Sequence, residues 1–279
     1  MLDIKSGVLR RNKQAVEQIK SKNVGKSFGS PPKIVIIHFT AGGSARSSAN
    51  WFASAANTNS SAHVVIERDG SIIQCVSFEK IAWHAGKSTW GSLSGLNQYS
   101  IGIELANWGA LKGAGGDWVN GAGQRVTNPF IGVHRNGNPN GSRTPIGWEI
   151  YPEAQFDAAV ELVAALRASY GVDTILGHDD IAPTRKWDPG PAFDMARFRS
   201  RAFGDRRDDG ANIVLVNAPN GLNMRAGPGL DFAIIASLKD KAPLEPIGQN
   251  GVWLEVSVLD AAGLPKATGW VHSHYVKAG

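Results

Sequence analysis

The sequence predicts an α/β domain, built on a mixed central β-sheet flanked by helices, followed by a small all-β barrel. Three observations predict it. Apolar β-branched runs alternate with one long helical pattern up to about residue 204. A short charged stretch, DRRDDGAN (205–212), then reads as a linker. Beyond it the pattern changes to short β-rich runs (IVLV, FAIIASL, WLEVSVL, GWVHSHYV) separated by the turn sequences NAPNG, RAGPG and GQNG. The boundaries expected are 1–204 for the first domain, 205–211 for the linker and 212–279 for the barrel.

Within the first domain, KIVIIHF (33–39) is nearly all apolar, as in a strand buried on both faces. HVVIERDGSIIQCV (63–76) is two such runs around Arg68-Asp69-Gly70, the signature of a hairpin. SIGIELAN (100–107) is another central strand. PEAQFDAAVELVAALRASYG (152–171) predicts a helix, with Pro152 in its first turn and Gly171 just past its end. Its apolar stripe is Phe156, Ala159, Val160, Val163 and Leu166. TILGH (174–178) returns as a strand. Residues 108–150 are rich in Gly and Asn, and so long a connection reads as a flap that brings Trp118 or Trp148 towards a ligand.

The chain has 279 residues, 42% hydrophobic and 19% charged, enough to bury a core. No run approaches the roughly 20 apolar residues of a membrane helix. The start, MLDIKSGVLRRNKQAVEQIK, lacks an apolar h-region and a cleavage site, so no secretory signal is expected. Residues 212–279 carry five basic and five acidic residues, so the net charge of +5 lies in the first 211. That excess suits either solubility or an anionic partner. No nucleic-acid-binding motif accompanies it, and none is expected. Cys75, the single cysteine, excludes an internal disulfide and reads as core packing on a strand.

The chemistry concentrates in His38, His178 and Asp188, the last two within GHDDIAPTRKWDPG (177–190). Two imidazoles and a carboxylate suit zinc and leave a fourth position for water. Singly, each histidine reads as readily as a hydrogen-bonded core or surface residue.

These residues lie in stretches that resemble a known family. VIIHFTAGG (35–43), SSAHVVIERDGSIIQCV (60–76), AWHAG (82–86), SIGIELAN (100–107), YPEAQ (151–155) and GHDDIAPTRKWDPGPAFDMARFR (177–199) occur in the order of the zinc-dependent N-acetylmuramoyl-L-alanine amidases. That family includes anhydromuropeptide-recycling amidases, phage lysozyme-type amidases and peptidoglycan recognition proteins. The resemblance implies one zinc per chain on His38, His178 and Asp188, with Glu104 activating water and Lys186 stabilising the oxyanion. It implies substrate contacts at Trp83, His84 and Asn107. Val64 stands where many relatives carry a catalytic tyrosine, which puts more of the work on Glu104. His63 is expected to be structural rather than a fourth ligand.

GLNMRAGPGLDFAIIASL (221–238), GVWLEV (251–256) and GWVHSHYV (269–276) resemble a bacterial Src-homology-type barrel. That resemblance implies wall attachment, while Trp253 and Trp270 also suit a small core. His272 and His274 read as surface residues facing one side of a strand.

The expected activity is hydrolysis of the amide between the lactyl group of N-acetylmuramic acid and L-alanine, in peptidoglycan or soluble muropeptides. A non-catalytic recognition protein and a cysteine peptidase using Cys75 are the alternatives. Without a signal, the expected routes are action on the wall after lysis or non-classical export, or cytoplasmic recycling. Oligomeric state is left open.

Overall fold

A computed structural model describes residues 1–203, 213–260 and 265–278. The predicted linker, 205–211, lies outside the described residues. The chain forms two compact units: Met1–Gly109 with Tyr151–Pro189 and Arg197–Gly204, and Ala110–Ile150 with Gly190–Ala196 and Asp205–Gly279.

The first unit is built on a six-stranded mixed sheet. In spatial order its strands are Thr174–Gly177, Ile34–Phe39, Ser100–Leu105, Val64–Ile66, Ile72–Gln74 and Glu17–Gln18. The first four run parallel, and Val64–Ile66 and Ile72–Gln74 form the predicted antiparallel hairpin. Its turn requires glycine: Gly70 has φ +82°, and a Cβ there would stand 2.6 Å from the Ala154 carbonyl oxygen. Val35, Ile36 and Ile37 are wholly buried, as a strand covered on both faces demands.

The helix Glu153–Tyr170 starts after Pro152 and stops at left-handed Gly171, as its sequence predicts. Its buried face takes in Gln155, Ala158, Leu162 and Ala165 beyond the predicted stripe, of which Val160 is only half-buried. Gln155 is fully buried and its amide donates to the carbonyls of Ile66 (3.0 Å) and Ala106 (3.1 Å). Gln155→Ala should therefore cost about 2–3 kcal/mol in urea unfolding, because it opens a void beside carbonyls that lose a donor.

Several elements carry too weak a sequence signal to be anticipated. The helix Ala45–Ala53 is capped by the Ser44 hydroxyl and buries only Ala45, Ala49 and Phe52, one per turn. Leu2–Lys5 and Val8–Arg11 pair as a hairpin whose Leu9 N–H donates to the Gln74 side chain (2.9 Å). Cys75 lies one residue beyond the strand Ile72–Gln74, rather than within it.

The second unit is all-β. Its sheet runs Ile146–Trp148, Phe130–Gly132, Pro265–His272, Trp253–Leu259, Pro243–Asn250, Val214–Val216, Val276–Ala278, with Leu222–Arg225 and Ile234–Leu238 attached. Val216, Leu222, Met224, Leu238, Leu244, Val256 and Val271 fill the core, while Trp253 and Trp270 are half-buried at its margin.

Residues 110–150, expected to form a flap, contribute strands to this unit. Phe130–Gly132 pairs with the strand Pro265–His272, and Ile146–Trp148 pairs with Phe130–Gly132. Trp148 is fully buried with its indole N–H donating to Gly132 (3.2 Å), and Trp118 lies so close over Gly147 that a Cβ there would meet it at 2.6 Å. Both tryptophans are core residues here. His272 ends its strand and His274 belongs to the following 3-10 turn, so the two do not share a strand.

Candidate metal centre

His38, Glu104 and His178 meet because three parallel strands end together. Glu104 pairs directly with His38, and Gly177 pairs with Ile37, which leaves His178 one step beyond its strand at the start of the helix His178–Ile181. Residues in register on adjacent strands point to the same face, so His38 and Glu104 lie side by side. The crevice beyond the carboxyl ends of parallel strands is where α/β sheets hold ligands. Asp188 is brought in from the following loop, where the Asp179 N–H donates to the Asp188 carbonyl (2.9 Å) and the Tyr151 hydroxyl to that of Pro189 (2.7 Å). The corner is tight at Gly177, where a Cβ would fall 2.3 Å from the Asp179 carboxylate and 2.7 Å from the Pro189 ring.

His38 Nδ1, His178 Nδ1 and Asp188 Oδ2 are each 2.9 Å from the other two. All three residues are buried. Burial, reinforced by the neighbouring His178, lowers the His38 pKa to about 4, so its imidazole is neutral and can act as a ligand. Burial alone would raise Asp188, but its contacts with His178 and His38 outweigh that and hold the carboxyl well below the usual range. Two imidazole nitrogens and one carboxylate oxygen converging on a point are the donor set that zinc takes in catalytic sites. The residues fit that ion.

Beside them, Glu104 has a buried carboxylate oxygen, Oε2, with no hydrogen-bond partner among the described residues. Burial pushes its pKa up to about 8; the charge of Asp188 adds to the rise and Lys186 opposes it. Lys186 is half-buried on the same loop as Asp188. The raised value has a stability consequence in the metal-free protein. A carboxyl raised in the fold stabilises it only while protonated, so that contribution is complete below about 4.5 and is lost as pH rises through about 8. Glu104→Gln should thus stabilise the metal-free protein above pH 8, by an amount on the order of a few kcal/mol, and leave it unchanged near pH 4. Thermal melts across pH measure this.

The remaining expected residues are placed as follows. Trp83 is 36% exposed beside His84. His84 is buried, its Nδ1 3.0 Å from His38 Nε2. Asn107 is fully buried, and its side-chain oxygen accepts from Gly109 N (2.7 Å), shaping the loop after the Glu104 strand. His63 is structural: Nδ1 accepts from Gly102 N (3.0 Å), Nε2 donates to Lys80 O (2.9 Å), and Phe28 and Phe78 stack beside the ring. Cys75 is buried, and burial helped by Glu104 pushes its thiol up to about 12. A thiolate is unavailable there. Cys75→Ala should leave hydrolysis unchanged at a stability cost of about 1 kcal/mol, read from progress curves and a melt.

Arg185 escapes sequence reasoning altogether. Its guanidinium donates to the carbonyls of Ala85 (2.9 Å) and Lys87 (2.8 Å), about 100 positions away in the chain. Its neighbour Lys186 marks the block, but no local pattern announces so distant a target.

A family model described as N-acetylmuramoyl-L-alanine amidase matches residues 28–191, and one described as bacterial SH3 domain matches residues 220–277. The 1,6-anhydro-N-acetylmuramyl-L-alanine amidase AmpD of Salmonella typhimurium (strain SL1344) is 36% identical over 152 residues, 54% of this chain and 61% of the relative. The N-acetylmuramoyl-L-alanine amidase AmiD of Escherichia coli K12 is 33% identical over 135 residues, 48% of this chain and 38% of AmiD. The chain thus spans about three-fifths of the length of the AmpD relative. Among solved structures, a selenomethionine AmpD derivative is 27% identical with a TM-score of 0.49, covering 71% of this chain and 98% of that one.

Proposed function

This chain belongs to the N-acetylmuramoyl-L-alanine amidase family, and from that premise we propose that it is a zinc-dependent hydrolase of the amide between the lactyl group of N-acetylmuramic acid and L-alanine. Its substrates are peptidoglycan or soluble muropeptides. The observation that carries this reading is the buried convergence of His38, His178 and Asp188 with the orphaned carboxylate oxygen of Glu104 in register beside them.

Amide hydrolysis adds water oxygen to the acyl carbon, breaks the C–N bond and returns a proton to the leaving amine. Bound zinc supplies Lewis-acid charge to polarise the carbonyl and acidify the attacking water. Glu104 moves the proton: it takes it from water as the oxygen attacks and delivers it to the L-alanine nitrogen as that bond breaks. A carboxyl held near 8 in the metal-free site, and drawn down by a nearby cation, works close to neutral pH, where transfer in both directions is efficient. Lys186 places a positive charge beside the same carboxylate and His38, where it offsets negative charge growing on the carbonyl oxygen. All three proposed zinc ligands are present, which favours hydrolysis over a purely recognising role.

Residues 220–277, which match the bacterial SH3 model, serve in this reading to attach the chain to the wall. No described helix is long and apolar enough to cross a membrane.

The test offers purified sacculi and a soluble muramoyl tripeptide to the whole chain and identifies products by mass spectrometry. New L-alanine amino termini with intact glycan strands are expected. Cleavage within the glycan, or within the stem peptide, defeats the reading. The ratio of rates on the two substrates tells wall lysis from muropeptide recycling.

A further inference from the structure

The loop containing AWHAG (82–86) touches both histidine ligands on the side away from their convergence point. His84 Nδ1 stands 3.0 Å from His38 Nε2, and the Ala85 carbonyl oxygen stands 3.2 Å from His178 Nε2. From these contacts, and resting on the zinc-amidase reading, we infer that residues 84–85 orient the metal ligands, with His84 a positioning residue for His38 rather than a substrate contact.

Proton placement follows from the acceptors. A carbonyl oxygen only accepts, so His178 Nε2 carries the proton and a neutral His178 leaves Nδ1 bare. His84 Nε2 faces the Ser100 carbonyl (3.3 Å) and the Ser100 hydroxyl (3.4 Å). That hydroxyl spends its hydrogen on the Leu96 carbonyl (2.6 Å), so both groups accept from His84 Nε2. His84 Nδ1 is therefore an acceptor, and His38 Nε2 must donate to it, which bares His38 Nδ1 as well. Two lone pairs and a carboxylate oxygen then converge at 2.9 Å, an arrangement that a bound cation relieves. Fixing the outer nitrogen of a ligating imidazole sets its tautomer and its aim, and such partners change metal affinity by about 10–100-fold.

The loop is built to hold these two groups still. Asn97 Oδ1 accepts from the N–H groups of both His84 (3.0 Å) and Ala85 (2.7 Å). Arg185 pins the loop from the other side through Ala85 and Lys87. The ring of His84 lies over Gly102, where a Cβ would come within 2.4 Å of it, so glycine in the Glu104 strand makes room for the imidazole.

The experiment measures zinc affinity of the whole chain by competition with a chelator, with a melt of each metal-free variant as control. His84→Phe keeps a planar ring without the acceptor and should bind zinc about 10–100-fold more weakly. His84→Asn places an oxygen near the former Nδ1 and should restore most of that loss. A folded His84→Phe protein with wild-type zinc affinity overturns the inference and leaves the amidase reading standing; a wild-type chain that binds no zinc defeats the amidase reading itself. If His84→Phe does not fold, long-range proton–nitrogen correlation spectra of the zinc-loaded wild type decide. They should place the protons of His38, His84 and His178 on Nε2, and a proton on Nδ1 of any of the three overturns the assignment.

Discussion

Glu104→Gln is expected to keep its fold and its zinc while losing 10²–10⁴-fold in kcat, the usual worth of a positioned proton transfer. The amide is isosteric and sits in the same register beside His38, but it neither accepts the proton of water nor returns one to the amine. Its KM should change little, since the lost interaction exists only in the transition state. Zinc content, a melt and steady-state kinetics together separate this from misfolding. A near-normal rate would move the acid–base role to another residue. Lys186→Ala should likewise retain zinc and lose more in kcat than in KM, by a smaller factor.

His178→Ala should lose metal and activity together. Among the described residues His178 is one of three donors that converge, and the other two hold the ion far less firmly once the clamp is open. In the metal-free state the substitution removes one hydrogen bond, from Nε2 to the Ala85 carbonyl (3.2 Å), so the fold should persist at a modest cost while zinc content falls to background. A His178→Ala protein that still carries one zinc and hydrolyses substrate would place the metal elsewhere.

The strands that carry the site were legible because their chemistry is written locally. KIVIIHF, SIGIELAN and TILGH are apolar runs, and parallel pairing of such strands brings their ends, and therefore His38, Glu104 and His178, to one place. The long helix announced itself through Pro152 and Gly171. Elements held by scattered long-range contacts were not legible. The hairpin Leu2–Arg11 is fastened through Gln74 and Glu161, and the helix Ala45–Ala53 buries only one residue per turn, so neither has a strong period. The segment 110–150 misled for a related reason. Its Gly and Asn content reads as a loop, yet Trp118, Phe130 and Trp148 are buried, and the strand Phe130–Gly132 pairs with one more than 100 positions onward. Sequence proximity to Glu104 said nothing of where it packs. In the site itself, side-chain identity identified the three buried donors, but the roles of His84, Asn97, Arg185 and Gly102 depend on approaches that only the folded chain displays.

Cutting the chain after residue 205 would take away the strand Pro265–His272 and leave Phe130–Gly132 paired with Ile146–Trp148 alone, so the barrel's contribution is better tested by substitutions in the full chain.

The most direct test of a zinc amidase follows the release of L-alanine amino termini from a soluble muramoyl tripeptide. Metal-free protein is assayed before and after one equivalent of zinc, with the product identified by mass. The account predicts no release before zinc and full release after it, from the lactyl–L-alanine bond alone; full hydrolysis by the metal-free protein, or cleavage at another bond, would contradict it.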